Sequence, residues 1–123
     1  MGYTRYWHRT HQPITQGFVD EVKKIITRAE RNGIAIRGWD GKGEPEITIH
    51  GVLFNGNAEF ELDHETCRFD NEHFGFDFCK TARKPYDHVV KQVLTAAKRY
   101  GLVSKVSSDG KNNKTTDAEY LRR

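Results

Sequence analysis

Two stretches of the chain, FVDEVKKIITRAERNG at residues 18–33 and YDHVVKQVLTAAKRYG at residues 86–101, align with each other without a gap. Both place apolar residues at helical spacing and end in Gly, which is typical of an amphipathic helix closed by a left-handed cap. Thr15 and Pro85 are residues suited to open these helices. Six aligned pairs are identical: Val22/Val90, Lys23/Lys91, Thr27/Thr95, Ala29/Ala97, Arg31/Arg99 and Gly33/Gly101. The sequence therefore predicts two similar helices.

Similar residues also flank the two predicted helices. The matched pairs are Arg9-Thr10 with Lys80-Thr81 upstream and Asp40-Gly41 with Asp109-Gly110 downstream. Aromatic and β-branched residues between the turn signals favour strands. Strands are predicted at 3–11, 34–39, 46–50, 52–55, 59–65, 66–69, 74–79 and 102–106. The strands at 66–69 and 74–79 are expected to pair with each other as a hairpin.

These elements predict an α+β fold with two helices packed on one face of an antiparallel or mixed sheet. Duplicated strand–helix–strand units with right-handed connections favour a ferredoxin-like arrangement, with an acidic β insertion between the two halves. A single domain is expected over residues 1–110. The polar residues 111–123 are expected to form a mobile tail that ends in a short frayed helix.

Composition limits the classes of protein to which the chain can belong. Of its 123 residues, 36% are hydrophobic and 30% are charged, and no stretch approaches the roughly 20 apolar residues of a membrane-spanning helix. The first residues lack the apolar segment of a signal peptide. The two cysteines are therefore expected in a reducing compartment. We expect a cytoplasmic protein that does not enter a membrane.

The charge is divided unevenly along the chain. Residues 1–39 carry seven basic and three acidic residues, residues 40–77 carry two basic and ten acidic residues, and residues 78–123 carry eleven basic and four acidic residues. The two repeats are thus basic and the segment between them is acidic. Because the basic residues are split between the repeats, nucleic acid is not the expected partner.

The segment FCKTARKPYD at 78–87 is the first candidate binding site. Three cations and a hydroxyl precede a helix, whose first N–H groups and dipole favour an anion. The expected phosphate ligands are Lys80, Thr81, Arg83 and Lys84, and Tyr86 would stack on a base. The alternative is a solvated connector in which Asp87 caps the first turn of the helix.

The segment Arg5-Tyr-Trp-His-Arg-Thr10 is the counterpart in the first repeat. Arg5, Arg9 and Thr10 would supply a second anion contact. Tyr6 and Trp7 offer rings for stacking, and His8 would hydrogen-bond a base edge. In the alternative interpretation this is a central strand whose aromatic rings belong to the core.

Polar residues at strand ends form a further candidate set. Trp39-Asp-Gly41 and Ser107-Ser-Asp-Gly110 follow equivalent strands, so Ser108 and Asp109 would contact a ligand, although plain turns explain these residues equally well. His64 and Glu65 are candidates for hydrogen bonds to the ligand or, in an enzyme, for a general base and its orienting acid.

Two other constellations are weaker. His64, Cys67, His73 and Cys79 would suit tetrahedral zinc, but their spacing follows no zinc-binding pattern, so no metal is predicted. The predicted strand at 59–65 alternates four carboxylates, Glu59, Glu61, Asp63 and Glu65, on one face. Such a face can bind Mg²⁺, act in acid–base catalysis, or imitate nucleic acid toward a protein, but it is more often a solvated outer face.

Five motifs resemble those of a family of small uncharacterised proteins from phages, prophages and bacteria. They are GYTRYW at 2–7, FNG at 54–56, HET at 64–66, FDFCKTARKPYD at 76–87 and VSSDG at 106–110. The resemblance implies a bacterial host and a phage setting, in which counter-defence proteins sequester host signalling nucleotides. It implies no particular catalytic activity.

The leading hypothesis is a protein that binds and sequesters a small phosphorylated ligand, a signalling nucleotide, as a phage-type counter-defence protein. It would work without catalysis or a cofactor, as a monomer or with its site shared across a homodimer or higher oligomer. A phosphodiester-cleaving enzyme is the first alternative. An acidic nucleic-acid mimic that inhibits a host protein is the second.

Overall fold

The computed structural model describes residues 2–109, so the tail predicted at 111–123 lies outside the described residues. The strands are β1 (Thr4–Arg9), β2 (Glu46–Thr48), β3 (Gly51–Phe54), β4 (Cys67–Asp70), β5 (Gly75–Lys80) and β6 (Val103–Ser108), the helices are α1 (Gln16–Arg31) and α2 (Asp87–Arg99), and a 3₁₀ turn covers Ala58–Phe60. The predicted α+β class is confirmed. No helix within this described part is long and apolar enough to cross a membrane.

The two helices form where the sequence predicts them. The Thr15 side chain accepts the backbone N–H of Phe18 at 3.3 Å and so caps α1. The apolar positions of α1 are all buried, namely Phe18, Val19, Val22, Ile25, Ile26 and Ala29. Gly33 (φ +84°) and Gly101 (φ +73°) follow the helix ends in the left-handed conformation that residues with a side chain adopt at a cost. The repeat therefore encodes both the buried face and the end of each helix.

The strands form two antiparallel three-stranded sheets rather than the single sheet that we expected. One sheet has the order β5-β1-β6 and the other has the order β2-β3-β4. Helix α2 connects β5 with β6, which lie on opposite sides of β1. The second strand–helix–strand unit thus encloses the first strand of the chain.

The strand predicted at 34–39 is wrong. In its place a single antiparallel bridge joins Arg37 to Asn55. The chain then turns at once, because the backbone N–H of Gly38 bonds to the carbonyl of Lys42 at 3.0 Å. A side chain at Gly38 would lie 2.7 Å from that carbonyl, so only glycine permits the turn. The first repeat therefore lacks a return strand beside β1.

The strand predicted at 59–65, with its face of carboxylates, is also wrong. Asn57 accepts the backbone N–H of Glu59 at 3.1 Å and starts the 3₁₀ turn, and Glu61 adopts a left-handed conformation (φ 56°). The chain then passes over Gly56, where a Cβ atom would lie 2.0 Å from the carbonyl oxygen of Leu62. Close packing on this glycine replaces the alternating pattern with a compact loop.

The hairpin predicted from 66–69 and 74–79 is wrong in its pairing. Both strands exist, but β4 pairs with β3 and β5 pairs with β1. The Arg9 guanidinium is inserted near the connecting loop, where it donates to the carbonyl of Asp70 at 3.0 Å and to the Asn71 side chain at 3.1 Å. Its Cζ lies 4.7 Å from the centre of the Phe69 ring. This buried cation thus lies at the connection between two strands that pair with other partners.

The helices and the inner faces of both sheets share one hydrophobic core. It includes Trp7 of β1, Phe69 of β4 and Phe18 of α1, with the Phe18 and Phe69 ring centres 5.6 Å apart. Since burial of apolar area is the main favourable contribution to folding, the two small sheets are stabilised together through this core. Within residues 2–109, no helix covers their other faces.

A buried ion pair joins β1 to the start of α2. The Arg5 guanidinium donates to both carboxylate oxygens of Asp87, at 3.0 and 2.8 Å, and only 4% of the Arg5 side chain is exposed. The Thr81 hydroxyl donates to the same carboxylate at 2.6 Å. Two-pronged hydrogen bonding of this kind fixes both distance and orientation, so the pair sets the position of α2 on the sheet.

Asp87→Asn should destabilise the protein by about 3–5 kcal/mol, because it leaves the Arg5 charge buried without its counter-charge. Urea unfolding followed by circular dichroism measures this. Glu21→Gln, which removes the exposed Glu21–Arg99 pair (3.3 Å), is the matched control and should cost less than about 1 kcal/mol. Equal losses in the two variants would contradict an organising role for the buried pair.

Candidate functional site

The outer face of the β5-β1-β6 sheet carries a group of aromatic rings, which we call the aromatic face: Tyr6, His8, Phe76 and Phe78. Tyr6 lies opposite Phe78 and His8 lies opposite Phe76 in the β1–β5 pairing. The Phe76 ring centre is 6.0 Å from that of Tyr6, 5.9 Å from that of His8 and 6.1 Å from that of Phe78. The rings therefore form one continuous surface.

The aromatic face is exposed although its rings are apolar. Phe76 is 59% exposed and Phe78 is 41% exposed. The alternation of the strands explains this, because Arg5, Trp7 and Cys79 occupy the opposite, buried side. Contiguous exposed apolar surface is uncommon in soluble proteins and marks sites of binding.

Polar groups border the aromatic face. The Lys80 ammonium lies 5.8 Å from the centre of the Phe78 ring, and Lys105 of β6 is opposite His8. The Tyr6 hydroxyl donates to Asp109 at 2.7 Å, and this bond raises the pKa of Tyr6. The face thus offers flat rings with a cation at two of its borders.

A cleft of about 420 Å³ adjoins the aromatic face and shares Phe78 with it. Its lining combines aromatic, apolar and charged side chains: Trp39, Leu53, Glu65, Thr66, Arg68, Asp77 and Phe78. Trp39 is 67% exposed. The cleft opens where β4 and β5, the neighbouring edges of the two sheets, remain unpaired with each other.

The buried side chain of Asn55 positions one side of the cleft through hydrogen bonds to the backbone. Its buried amide donates to the carbonyls of Trp39 at 3.3 Å and His64 at 3.0 Å, and its oxygen accepts the N–H of His64 at 3.0 Å. The Thr66 hydroxyl also donates to the Trp39 carbonyl. One buried side chain thereby holds the Trp39 turn against the segment before β4.

Tyr86 fixes the backbone of Glu65, which lines the cleft. Its hydroxyl donates to the carbonyl of Glu65 at 2.5 Å, and the Cys79 thiol donates to that carbonyl at 3.4 Å. Burial, followed by the neighbouring thiols, raises the pKa of Tyr86. The Cys79 thiol and burial likewise raise the pKa of Cys67 well above its ordinary value. Tyr86 and Cys67 are therefore neutral at ordinary pH and act as packing elements next to Glu65 of the cleft.

Five residues of the predicted site are buried by the protein itself: Arg5, Trp7, Arg9, Thr81 and Tyr86. Arg5 and Thr81 bind Asp87, so the chain's own carboxylate occupies the place that we predicted for a phosphate. Burial lowers the pKa of Arg9, whose guanidinium binds backbone carbonyls of its own chain. These side chains support the site instead of contacting a ligand.

The remaining predicted phosphate ligands lie at the end of β5, where Lys80 is the last residue, and in the turn that follows it. The Arg83 guanidinium lies 4.1 Å from the centre of the Tyr3 ring, and Lys84 donates to the carbonyl of Glu61 at 2.8 Å. Lys80 alone among these cations also borders the aromatic face. The predicted cluster is therefore divided among three different environments.

The other predicted residues are dispersed around the site. Tyr6, His8 and Asp109 are at the aromatic face, and Glu65 lines the cleft. His64 is exposed beside it, while Ser108 is on the side of β6 opposite Ser107 and pairs with Arg5 in the sheet register. The structure thus brings Tyr6 and His8 of the candidate segment 5–10 close to Lys80 of the candidate segment 78–87, at the aromatic face.

Sequence reasoning missed Phe76, Phe78, Arg68, Asp77 and Lys105. A signal was present, since Phe74, Phe76 and Phe78 alternate along one strand and must share a face. Alternating aromatics usually indicate the buried face, however, and in this protein the exposed face carries them. Only the pairing of β5 with β1 places them beside Tyr6.

No group of three or more His, Cys, Asp or Glu side chains in residues 2–109 is arranged to hold a metal ion. Cys67 and Cys79 are buried free thiols, and His73 forms an exposed pair with Asp70 at 3.0 Å. The four residues considered for zinc are thus divided between the core and the surface.

No protein-family model matches the chain, and no curated protein or solved structure is similar enough to it to count as a relative. The resemblance to phage proteins stays a prediction, and the geometry of the site is the remaining basis for a function.

The raised pKa of Tyr86 predicts a loss of stability in alkali. The unfolded chain releases this proton near pH 10, whereas the folded chain retains it, so above that pH the unfolded state binds fewer protons and the free energy of unfolding falls as pH rises. Urea midpoints measured from about pH 9 to 11 should decrease. The decrease should be smaller in Tyr86→Phe than in the exposed control Tyr100→Phe; the same slope in both would contradict the assignment.

Proposed function

We propose that the aromatic face and the adjoining cleft bind a nucleotide and that the protein sequesters this ligand without converting it. The observation that carries the proposal is the continuous exposed surface of Tyr6, Phe76 and Phe78, which ends in a cleft. All nucleobases stack on aromatic rings of this kind, and each stacked base contributes about 1–3 kcal/mol to the binding free energy.

The side chains around Phe78 suit the parts of a nucleotide. Phe78 and Trp39 provide rings at the cleft for a base. Arg68 in the cleft and Lys80 beside Phe78 supply positive charge for a phosphate. Asp77 supplies a carboxylate that can accept hydrogen bonds from a base edge. A second base would stack on Phe76, so a dinucleotide has room on this surface.

Sequestration is favoured over phosphodiester cleavage by the position of the candidate catalytic groups. The Glu65 carboxylate accepts the backbone N–H of Lys80 at 2.8 Å, and no hydrogen bond described within residues 2–109 joins it to His8 or His64. His8 instead packs edge-on against Phe76. General acid–base catalysis requires a positioned proton donor and acceptor, and these residues do not form such a pair.

The inhibitor hypothesis has less support. It uses the acidic segment 40–77 as the mimic, and three of its carboxylates, Glu59, Glu61 and Asp63, lie in and after the 3₁₀ turn instead of in a row on one strand. We therefore propose a nucleotide as the ligand class. The phage setting and the counter-defence role remain part of the proposal through the resemblance of the sequence.

The ligand can be identified directly. The protein would be purified from bacteria with an active nucleotide-signalling defence, denatured by heat, and the supernatant examined by mass spectrometry. An intact nucleotide at near-stoichiometric amount is the expected result. A cleaved nucleotide would favour the enzyme, and an empty supernatant from cells that contain the signal would count against sequestration.

Phe76→Ala/Phe78→Ala should weaken binding of the identified nucleotide, or of the best cyclic dinucleotide in a calorimetric panel, by about 30-fold or more, since two stacking surfaces are lost. Stability should change little because both rings are exposed. Phe60→Ala is the control, as Phe60 is an exposed phenylalanine outside the face.

Two outcomes would contradict the proposal. Equal affinity of the double variant and Phe60→Ala would remove the aromatic face from the binding site. A wild-type dimer that becomes monomeric in the double variant, without any nucleotide bound by either, would show that a second copy of the chain covers this face.

A further inference from the structure

The exposed identities of the two repeats form one pattern on each helix. Lys23, Thr27 and Arg31 of α1 correspond to Lys91, Thr95 and Arg99 of α2. Residues four apart lie on the same side of a helix, so each set forms a stripe of two cations with a hydroxyl between them. The buried residues that are identical in the two repeats are explained by packing in the core. The identical surface residues are exposed or half-buried, so packing in the core does not explain them.

The tertiary structure brings the stripes to the same side of the molecule. Helices α1 and α2 pack against each other, and Arg99 reaches Glu21 across their junction at 3.3 Å. A cleft of about 250 Å³ between the helices is lined by Glu21, Ile25, Arg28, Lys91, Gln92, Thr95 and Arg99. A second cleft of about 310 Å³ is lined by Lys23, Lys24, Thr27, Arg28 and Arg31. Arg28 lines both clefts, so the two clefts are adjacent.

We call this surface the basic helix face. Its cations are Lys23, Lys24, Arg28, Arg31, Lys91, Lys98 and Arg99. The exposed or half-buried carboxylates of the same helices are Asp20, Glu21 and Glu30. Glu21 binds Arg99 of the face itself, and Glu30 lies 3.5 Å from Arg37 outside it. Since seven cations stand against three carboxylates, the face carries an excess of positive charge.

We propose that the basic helix face binds the phosphate backbone of a nucleic acid duplex. A linear array of cations and hydroxyls suits a linear array of phosphates, and the extension of this array over two adjacent clefts favours a polymer over a single phosphate. Contacts of this kind are independent of base sequence. The site is separate from the aromatic face and does not depend on the proposed nucleotide binding.

The chemistry of the face distinguishes nucleic acid from a membrane. Among the described residues, the large exposed apolar side chains are Trp39, Ile49, Phe60, Phe74, Phe76, Phe78 and Tyr100. None lies within α1 or α2, and Tyr100 packs against Phe18 at 6.0 Å. A helix that lies in a bilayer surface inserts apolar side chains beside its cations, and these helices direct theirs into the core.

This inference revises the expectation that nucleic acid is not a partner. That expectation rested on the separation of the basic residues along the sequence. The packing of α1 on α2 removes the separation in space, because Arg28 of the first repeat and Lys91 of the second line the same cleft.

The test uses the full chain and a fluorescein-labelled blunt-ended DNA duplex, in which the bases are not available for stacking. Anisotropy titrations at several salt concentrations should show binding that weakens as salt rises. Arg28→Gln should lower the steepness of the salt dependence by about 1, and Arg28→Gln/Lys91→Gln by about 2. Lys42→Gln removes one charge from an exposed loop and should leave the steepness unchanged.

Three results would overturn the inference. They are no duplex binding at low salt, an equal effect of Lys42→Gln and Arg28→Gln, or binding only to vesicles that contain anionic lipid. Phe76→Ala/Phe78→Ala should retain duplex binding, so failure of this inference and failure of the proposed nucleotide binding are distinguishable. Circular dichroism would verify that each variant is folded.

Discussion

The arrangement of the protein depends on the buried pair between Arg5 and Asp87. The pair joins the central strand β1 to the first turn of α2, and the Thr81 hydroxyl adds the end of β5 to the same carboxylate. A charge that is removed from water requires a partner in a fixed geometry, so few other positions of α2 on the sheet are compatible with it. With β1, β5 and α2 joined in this way, β6 follows α2 and pairs with the other side of β1. A single carboxylate thus connects the central strand, the end of β5 and the helix that leads to β6.

The position of the helices decides which surfaces remain available. Both helices and the inner faces of both sheets meet in one core, so the outer faces of the sheets and the outer sides of the helices are left to solvent. The sheet side is aromatic and has a cleft, where Asn55 holds the Trp39 turn in place. The helix side is basic and grooved. Two surfaces of different chemistry thus result from one packing arrangement, and they suit different parts of nucleic acids: bases on one side and phosphates on the other.

The candidate site shows how far sequence reasoning reaches and where it stops. A run of cations before a helix predicts an anion site, and an anion does bind to Arg5 and Thr81, but it is the carboxylate of Asp87 from the same chain. A local sequence pattern does not show which side chain from elsewhere in the chain will occupy the anion-binding position. The exposed rings were missed for the related reason that alternation defines two faces without saying which is buried. Phe76 and Phe78 are exposed because Cys79 and its neighbours in the core take the other side.

By itself, the sequence determined the elements that depend on near neighbours. The helix limits follow from the Thr15 cap, the apolar spacing and the glycines at 33 and 101, because capping and amphipathicity act over a few residues. The α+β class follows from those elements. Only the tertiary structure decided the pairing of β5 with β1, the division into two sheets and the meeting of basic residues from both helices in one cleft. These features arise from contacts between residues far apart in the chain, where the buried charge of Arg9, the Arg5–Asp87 pair and close packing outweigh local preference.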